Sequence, residues 1–199
     1  MSGSGERLGI LGGTFDPPHI GHLASAVNAL SALSLNRVLL VVANRPWQKV
    51  GTRQISPAEV RLEMVRNAVR GLRGLEASDC EIVRGGDSTT AETVQEFRAE
   101  DPTRELFVIL GRDAAAGLLT WRSPETIRDL STIAVVDREH SSGGQMPPGW
   151  SSVEVAMPRL DVSSSDLRQR VRDGRPLDVL VPAAVIEVIV EHHLYGVGR

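Results

Sequence analysis

The stretch Leu8-Gly9-Ile10-Leu11-Gly12-Gly13-Thr14-Phe15-Asp16-Pro17-Pro18-His19-Ile20-Gly21-His22 decides the fold class of this chain. The apolar run over 8–11 stops at a glycine pair, as a buried strand does when it enters a turn. Beyond Gly21, apolar residues recur at Leu23, Ala26, Val27, Leu30 and Leu33, a helical spacing. Between strand and helix, Gly12 and Gly13 let the backbone approach a ligand with no Cβ in the way. The helix start, read near Gly21, turns free N–H groups and the positive dipole end toward the same space. That is an anion site. His19 and His22, three residues apart, place two imidazoles on one side of the first turn, where both can donate to one polyphosphate. A zinc pair built from His19, His22 and Asp16 is the alternative, but no second ligand cluster accompanies it in the sequence.

Working outward, residues 38–42 form a second β-branched run. Ser56-Pro57-Ala58-Glu59 reads as an N-cap, a proline at the first helical position and a capping-box glutamate. Val60, Met64, Val65 and Ala68 then share one side of the helix. The pattern predicts strands over 75–83, 106–110, 132–136 and 153–157. It predicts helices from Thr90 (as the cap) to about Arg98, over 114–119, from Ser123-Pro124, and over 164–172 and 182–192. The Gly/Pro/Ser-rich stretch 139–150 reads as a flexible loop and residues 1–7 as a disordered N-terminus. Strands alternating with helices imply an α/β fold: a doubly wound, mostly parallel sheet with helices on both faces. With 199 residues it should be a single domain spanning 1–199. In such sheets ligands bind beyond the carboxyl ends of the strands, which directs attention to the residues just after Leu11, Val42, Val83 and Leu110.

Charge and cysteine usage narrow the class. The net charge of −3 and pI of about 6.0 lack the basic excess of a dedicated nucleic-acid binder. Cys80 is the only cysteine, so an intramolecular disulfide and a multi-cysteine zinc site are both excluded, and a reducing cytoplasm is expected. No apolar run reaches the roughly 20 residues needed to span a bilayer, and the Ser/Gly-rich start lacks a signal-peptide core.

The segment from Gly12 to His22 resembles the G-x-F-D-P-x-H-x-G-H signature of the adenylyl- and cytidylyltransferase superfamily. Near the other end, Asp161-Val162-Ser163-Ser164-Ser165-Asp166-Leu167-Arg168 resembles its I-S-S-T-x-I-R motif. Physically, a serine run before a helix supplies hydroxyls and backbone N–H groups, and Arg168 can reach the same anion with a planar fork. Taken alone, this second motif would read as plain helix capping. Val162, Ser165 and Leu167 depart from the pattern while keeping its size or its hydroxyl. Asn44-Arg45-Pro46-Trp47-Gln48-Lys49 stands where related chains end a segment in Pro-His-Lys, with Gln48 in place of the histidine. Ser88-Thr89-Thr90-Ala91-Glu92-Thr93 resembles S-Y-T-V-D-T. Leu110-Gly111-Arg112-Asp113 with Leu119-Thr120-Trp121 resembles G-A-D…L-x-x-W, with Arg112 where alanine is usual. The ending, from Val181-Pro182 to Leu194-Tyr195, fits as well. Together these make the chain similar to nicotinate-nucleotide adenylyltransferases through nearly its whole length.

That resemblance implies a Rossmann-like nucleotidyltransferase fold. It implies transfer of AMP from ATP to nicotinic acid mononucleotide, giving deamido-NAD and pyrophosphate. Its catalytic residues would be His19, His22, Lys49 and Arg168. Gly12, Gly13, Thr14, Phe15, Ser163, Ser164 and Ser165 would line ATP. Asp16, Thr90, Asp113 and Trp121 would line the acceptor, with Trp121 stacked on the pyridine ring. From the residues alone, Trp121 reads equally as a core or rim aromatic, and Thr90 and Asp113 equally as helix caps. No protein metal site is expected, and Mg2+ should ride on the phosphates with several waters retained. The expected partners are the two small-molecule substrates, not nucleic acid or membrane. A homo-oligomer, and the choice between nicotinate and nicotinamide mononucleotide, stay open. The rival readings are pantetheine-phosphate adenylyltransferase, a shorter protein whose resemblance would not extend to the Asp113 and Trp121 segment, and a non-catalytic nucleotide-binding regulator.

Overall fold

The computed structural model describes residues 5–46, 55–138 and 144–196. Six parallel strands, β1 (Arg7–Gly13), β2 (Arg37–Val42), β3 (Leu75–Ser78), β4 (Glu105–Gly111), β5 (Thr132–Arg138) and β6 (Ser152–Met157), form one sheet in the order β3-β2-β1-β4-β5-β6. Among the described residues eight α-helices accompany them: α1 (Ile20–Ala32), α2 (Ala58–Val69), α3 (Cys80–Arg84), α4 (Thr90–Glu100), α5 (Arg112–Ala116), α6 (Pro124–Leu130), α7 (Ser164–Arg172) and α8 (Ala183–Glu191). The winding reverses between β1 and β4, so the two chain directions part there and leave a crevice at the carboxyl ends.

The alternation of side chains along each strand builds the two faces. Val38, Leu40 and Val42 of β2, with Phe107 and Ile109 of β4, join the core under α1 and α2. Leu39 and Val41, with Leu106, Val108 and Leu110, join the core under α4, α5 and α6. A third cluster packs Met64 and Ala68 of α2 against Leu167 of α7 and Val185, Val188 and Ile189 of α8. This last cluster is what carries the C-terminal serine motif back to the end of β1.

Several expectations shift by a residue or more. The strand expected over 75–83 stops at Ser78, because β3 is an edge strand whose only neighbour is β2, paired from Val38 to Val41; the chain then turns into α3. Helix α2 begins at Ala58 with Pro57 as its N-cap, and Ser56 gives its main-chain carbonyl to Arg61 instead of capping. Thr89, not Thr90, caps α4. Its hydroxyl accepts from the Glu92 N–H, so Thr89 and Glu92 form the cap pair. Of the stretch expected to be disordered over 1–7, residues 1–4 lie outside the described residues, Glu6 is bonded to Arg37 and Arg104, and Arg7 opens β1. Of the loop expected over 139–150, residues 139–143 lie outside the described residues, and Met146 and Trp150 pack on the core under α4 and α6.

Gly9 shows how tightly β1 is held. A Cβ there would lie 2.8 Å from Val38 Cγ2 and 2.9 Å from Leu35 Cδ1. Val38 is fully buried, so neither neighbour has room to withdraw. Gly9→Ala should therefore cost about 1–3 kcal/mol by overpacking. In a chain of this size that lowers the thermal midpoint by roughly 2–12 °C, measurable by calorimetry.

Candidate functional site

Two clefts open at the carboxyl end of β1 and share Gly12, Gly13 and Thr14 as their common floor. One, of about 400 Å³, is walled by Phe15, Asp16, His19, His22, the serines 163–165 and Arg168. The other, of about 240 Å³, is walled by Ala43, Glu81, Ser88, Thr89, Thr90, Trp121 and Arg122 among others. A Cβ built on Gly12 meets nothing within 4 Å and would project into the open space, whereas one on Gly13 would strike the Phe15 ring at 2.8 Å. Gly13 is thus held by the packing of Phe15, while Gly12 leaves its side of the cleft open.

The histidine cleft is built at the start of α1. His19 is its N-cap residue, and its ring stacks on that of His22 with centroids 3.7 Å apart, while Phe15 meets His22 edge-on at 4.9 Å. The His19 N–H donates to His22 Nδ1 at 3.2 Å. An accepting Nδ1 carries no proton, so in neutral His22 the proton sits on Nε2 and that nitrogen is a donor. His19 is 6% exposed and its Nδ1 has no protein partner. The helix end is less open than its sequence implies. The Ile20 N–H is taken by the Leu180 carbonyl and the His22 N–H by the His19 carbonyl, so side chains carry much of the donor work at this end.

Helix α7 closes the cleft from the other terminus. Ser163 caps it by accepting from the Asp166 N–H, and Ser164 Oγ donates to the Pro17 carbonyl at 2.9 Å. Arg168 donates from Nη1 to the Asp16 carbonyl at 2.8 Å and from Nη2 to Ser165 Oγ at 3.0 Å. Two segments about 150 residues apart in sequence are thus bonded directly, and both line one cleft.

In the second cleft the one-residue shift of the α4 cap frees Thr90 for the wall. Trp121 is half-buried against the core under α4 and also reaches the cleft. Glu81 is buried beneath it. Burial pushes its carboxyl above the usual range, against the lowering effect of hydrogen bonds from Ser88 and Thr93 and the nearby Arg84. Arg122, at the rim, pairs with Asp87 at 3.0 Å.

The site residues expected from sequence divide accordingly. His19, His22, Arg168, Gly12, Gly13, Thr14, Phe15 and the three serines come together in the first cleft, and Thr90 and Trp121 in the second. Asp16 lines the histidine cleft, not the one holding Trp121, because its peptide is drawn to α7 by Arg168. Asp113 is exposed in the first turn of α5 and lies on the wall of neither cleft. Arg112 turns away to pair with Glu154 of β6. Gln48 and Lys49 lie outside the described residues. Among the described residues no three metal-ligating side chains gather.

A cytidylyltransferase-like family model matches residues 10–170 of this chain. A Roseiflexus protein named "Probable nicotinate-nucleotide adenylyltransferase" is 41% identical over 199 residues, covering 96% of this chain and 99% of its own. Its namesake from Thermus thermophilus is 39% identical over 189 residues, covering 95% and 99%. The chain belongs to the nicotinate-nucleotide adenylyltransferase family. The same fold occurs in the Plasmodium falciparum nicotinic acid mononucleotide adenylyltransferase complexed with NaAD, with a TM-score of 0.76 at 16% identity over 96% of this chain and 97% of that one.

Within this family member, sequence reasoning missed Arg61, Glu81 and Tyr195. Arg61 is 1% exposed and donates to the carbonyls of Ser56, Thr14 and Asn44 at 2.8, 2.9 and 3.1 Å. Its signal was present: Arg61 lies in step with Met64, Val65 and Ala68 at i, i+3, i+4 and i+7, a charge inside an apolar stripe.

The burial of His19 has a consequence for acid stability. Desolvation lowers its imidazole to about 4, against roughly 6.5 in an unfolded chain. Between those values the unfolded state binds the extra proton, so stability falls as pH drops from 6.5 to 4 and is unaffected by this group above 6.5. The loss should be on the order of 3 kcal/mol. Urea unfolding of wild type and His19→Gln at pH 7 and pH 4.5 should show the smaller pH dependence in the variant; equal slopes would reject the assignment.

Proposed function

We propose that this chain transfers AMP from ATP to nicotinic acid mononucleotide, releasing pyrophosphate and forming deamido-NAD. The observation that carries this reading is the shared floor of the two clefts. A triphosphate held by His19, His22 and Arg168 and an acceptor lying between Thr90 and Trp121 would meet over Gly12 and Gly13, where no side chain intervenes. Gly12, Gly13, Thr14, Phe15 and the serines 163–165 would line the nucleotide, and Lys49 would add a second cation.

The acceptor phosphate oxygen attacks the α-phosphorus of ATP and pyrophosphate leaves. The phosphate is already anionic at neutral pH, so no side-chain nucleophile and no strong base are required. Catalysis then rests on alignment and on stabilising charge as it moves onto pyrophosphate. The tautomer set on His22 suits that task, because its Nε2–H donates without needing a charge. A divalent cation, with magnesium the natural choice, enters as part of the nucleotide substrate and keeps its waters. Trp121 offers its face to the pyridine ring, and Thr90 lines the same wall. The reaction belongs in the cytoplasm, where the lone thiol Cys80 stays reduced. No helix among the described residues is long and apolar enough to cross a membrane.

The deciding experiment measures pyrophosphate release from MgATP with nicotinic acid mononucleotide, nicotinamide mononucleotide or phosphopantetheine. Turnover should be fastest with the first. A preference for phosphopantetheine, or ATP binding with no release, replaces the reading. His22→Ala should lower kcat roughly 100- to 1000-fold with the fold retained. Trp121→Ala should raise the acceptor KM by roughly tenfold or more, with ATP KM little changed. A loss confined to ATP would place Trp121 at the other substrate.

A further inference from the structure

Tyr195 stands within the final turn of the described chain, after α8, yet its hydroxyl reaches the base of the histidine cleft. It donates to Asp16 Oδ1 at 2.7 Å, and Asp16 is 1% exposed. Ser56 also hydrogen-bonds the phenol, and Arg168 lies close enough to act on it electrostatically. Burial first, and then the Asp16 charge, push the phenol well above its ordinary range, so it stays a protonated donor at any physiological pH. The turn that carries it is left-handed at His193 (φ 48) and again at Tyr195. Tyr195 adopts φ 58 and ψ 11, in the left-handed region that side chains other than glycine seldom enter. Strain at a residue that a merely packed aromatic would not need points to a role for the hydroxyl.

The neighbouring geometry says what that role is. Asp16 puts a buried carboxylate on the wall of a cleft that, on the reading above, takes a triphosphate. Arg168 already donates to the main-chain carbonyl of that same residue at 2.8 Å. A carboxylate and a triphosphate in the same cleft would both attract the one guanidinium. A phenol donates to the carboxylate without adding or consuming charge, and so weakens the carboxylate's pull on the guanidinium.

We propose that Tyr195 is a positioning residue for ATP: by holding the Asp16 carboxylate it keeps Arg168 available to the triphosphate. The inference rests on the histidine cleft being the nucleotide cleft, and it makes the C-terminal turn part of the active site. Removing the hydroxyl lets Asp16 draw Arg168 inward, and nucleotide affinity falls while the acceptor cleft is untouched. Replacing Asp16 by asparagine removes the competitor, so the hydroxyl should then no longer matter.

The test is a double-mutant cycle read by equilibrium titration of MgATP onto wild type, Tyr195→Phe, Asp16→Asn and the double variant, with circular dichroism confirming each fold. Phenylalanine keeps the ring and its packing. Tyr195→Phe should weaken MgATP binding about tenfold, the scale of one charge-assisted contact. The same substitution in the Asp16→Asn background should change it less than twofold. Where turnover is measured, KM for ATP should rise and KM for the acceptor should not. Unchanged MgATP affinity in Tyr195→Phe overturns the proposal, as does an equal loss in both backgrounds, which would mean that the hydroxyl acts independently of the Asp16 carboxylate. Because the cycle reads binding, a wild type that binds MgATP but turns over no acceptor sinks the functional reading and leaves this test standing. A wild type that does not bind MgATP sinks both.

Discussion

The guanidinium of Arg61 donates to three main-chain carbonyls at once, and the clefts stand where those carbonyls hold them. Thr14 follows β1, Asn44 follows β2, and Ser56 precedes α2, so a single buried cation ties three loop ends that no sheet bond can reach. Such a group is costly to bury, and only a full set of partners offsets the cost. A lysine could not replace it, since an ammonium cannot span three separate acceptors in a planar fork. The tie continues outward. The Asn44 N–H donates to Ser88 Oγ at 2.7 Å, and Ser88 bonds the buried Glu81, which also takes the Thr93 hydroxyl. From Thr14 to Thr93 the walls of both clefts hang on one polar chain.

A site of this kind is set before any ligand arrives. The polar groups that face the clefts are already engaged behind: His22 by the His19 main chain, Ser164 by Pro17, Arg168 by Asp16 and Ser165. Each contact consumes one donor or acceptor and aims the rest. This is the arrangement that electrostatic catalysis needs, because donors fixed in advance do not have to reorganise as charge develops. It also explains how an acidic protein with a net charge of −3 can carry an anion cleft. The positive character is local: one guanidinium stands beside two neutral imidazoles whose N–H groups can donate, brought together from opposite ends of the chain.

How much of this was legible in the sequence follows from the range of the interactions. The sheet was legible because the unbroken apolar runs of β2 and β4 and the glycine break after Leu11 are local patterns. The convergence of His22 and Arg168 was legible only because both lie in recognisable strings. Edges and caps were less so. Strand β3 ends at Ser78 for want of a partner beyond β2, a fact of sheet order that residues 75–83 do not contain. The cap at Thr89 was available from the Thr89–Glu92 spacing, but the adjacent threonine offered a competing reading. Asp16 lines the histidine cleft and Asp113 neither wall, because proximity in a motif says which turn a carboxylate occupies, not which cleft, if any, it faces.

The two clefts differ in chemistry as well as in place. The histidine cleft presents neutral and cationic donors to a highly charged ligand. The other has a buried acid, Glu81, beneath it and an arginine whose charge Asp87 already meets. On the proposed reading the first cleft takes the triphosphate and the second the acceptor, so each substrate has one seat. The shared glycines then do more than leave room. Because Gly12 projects nothing into the space between the seats, the phosphates of two correctly seated ligands have only each other to meet, and orientation across that gap is fixed by walls that Arg61 and Arg168 brace from behind.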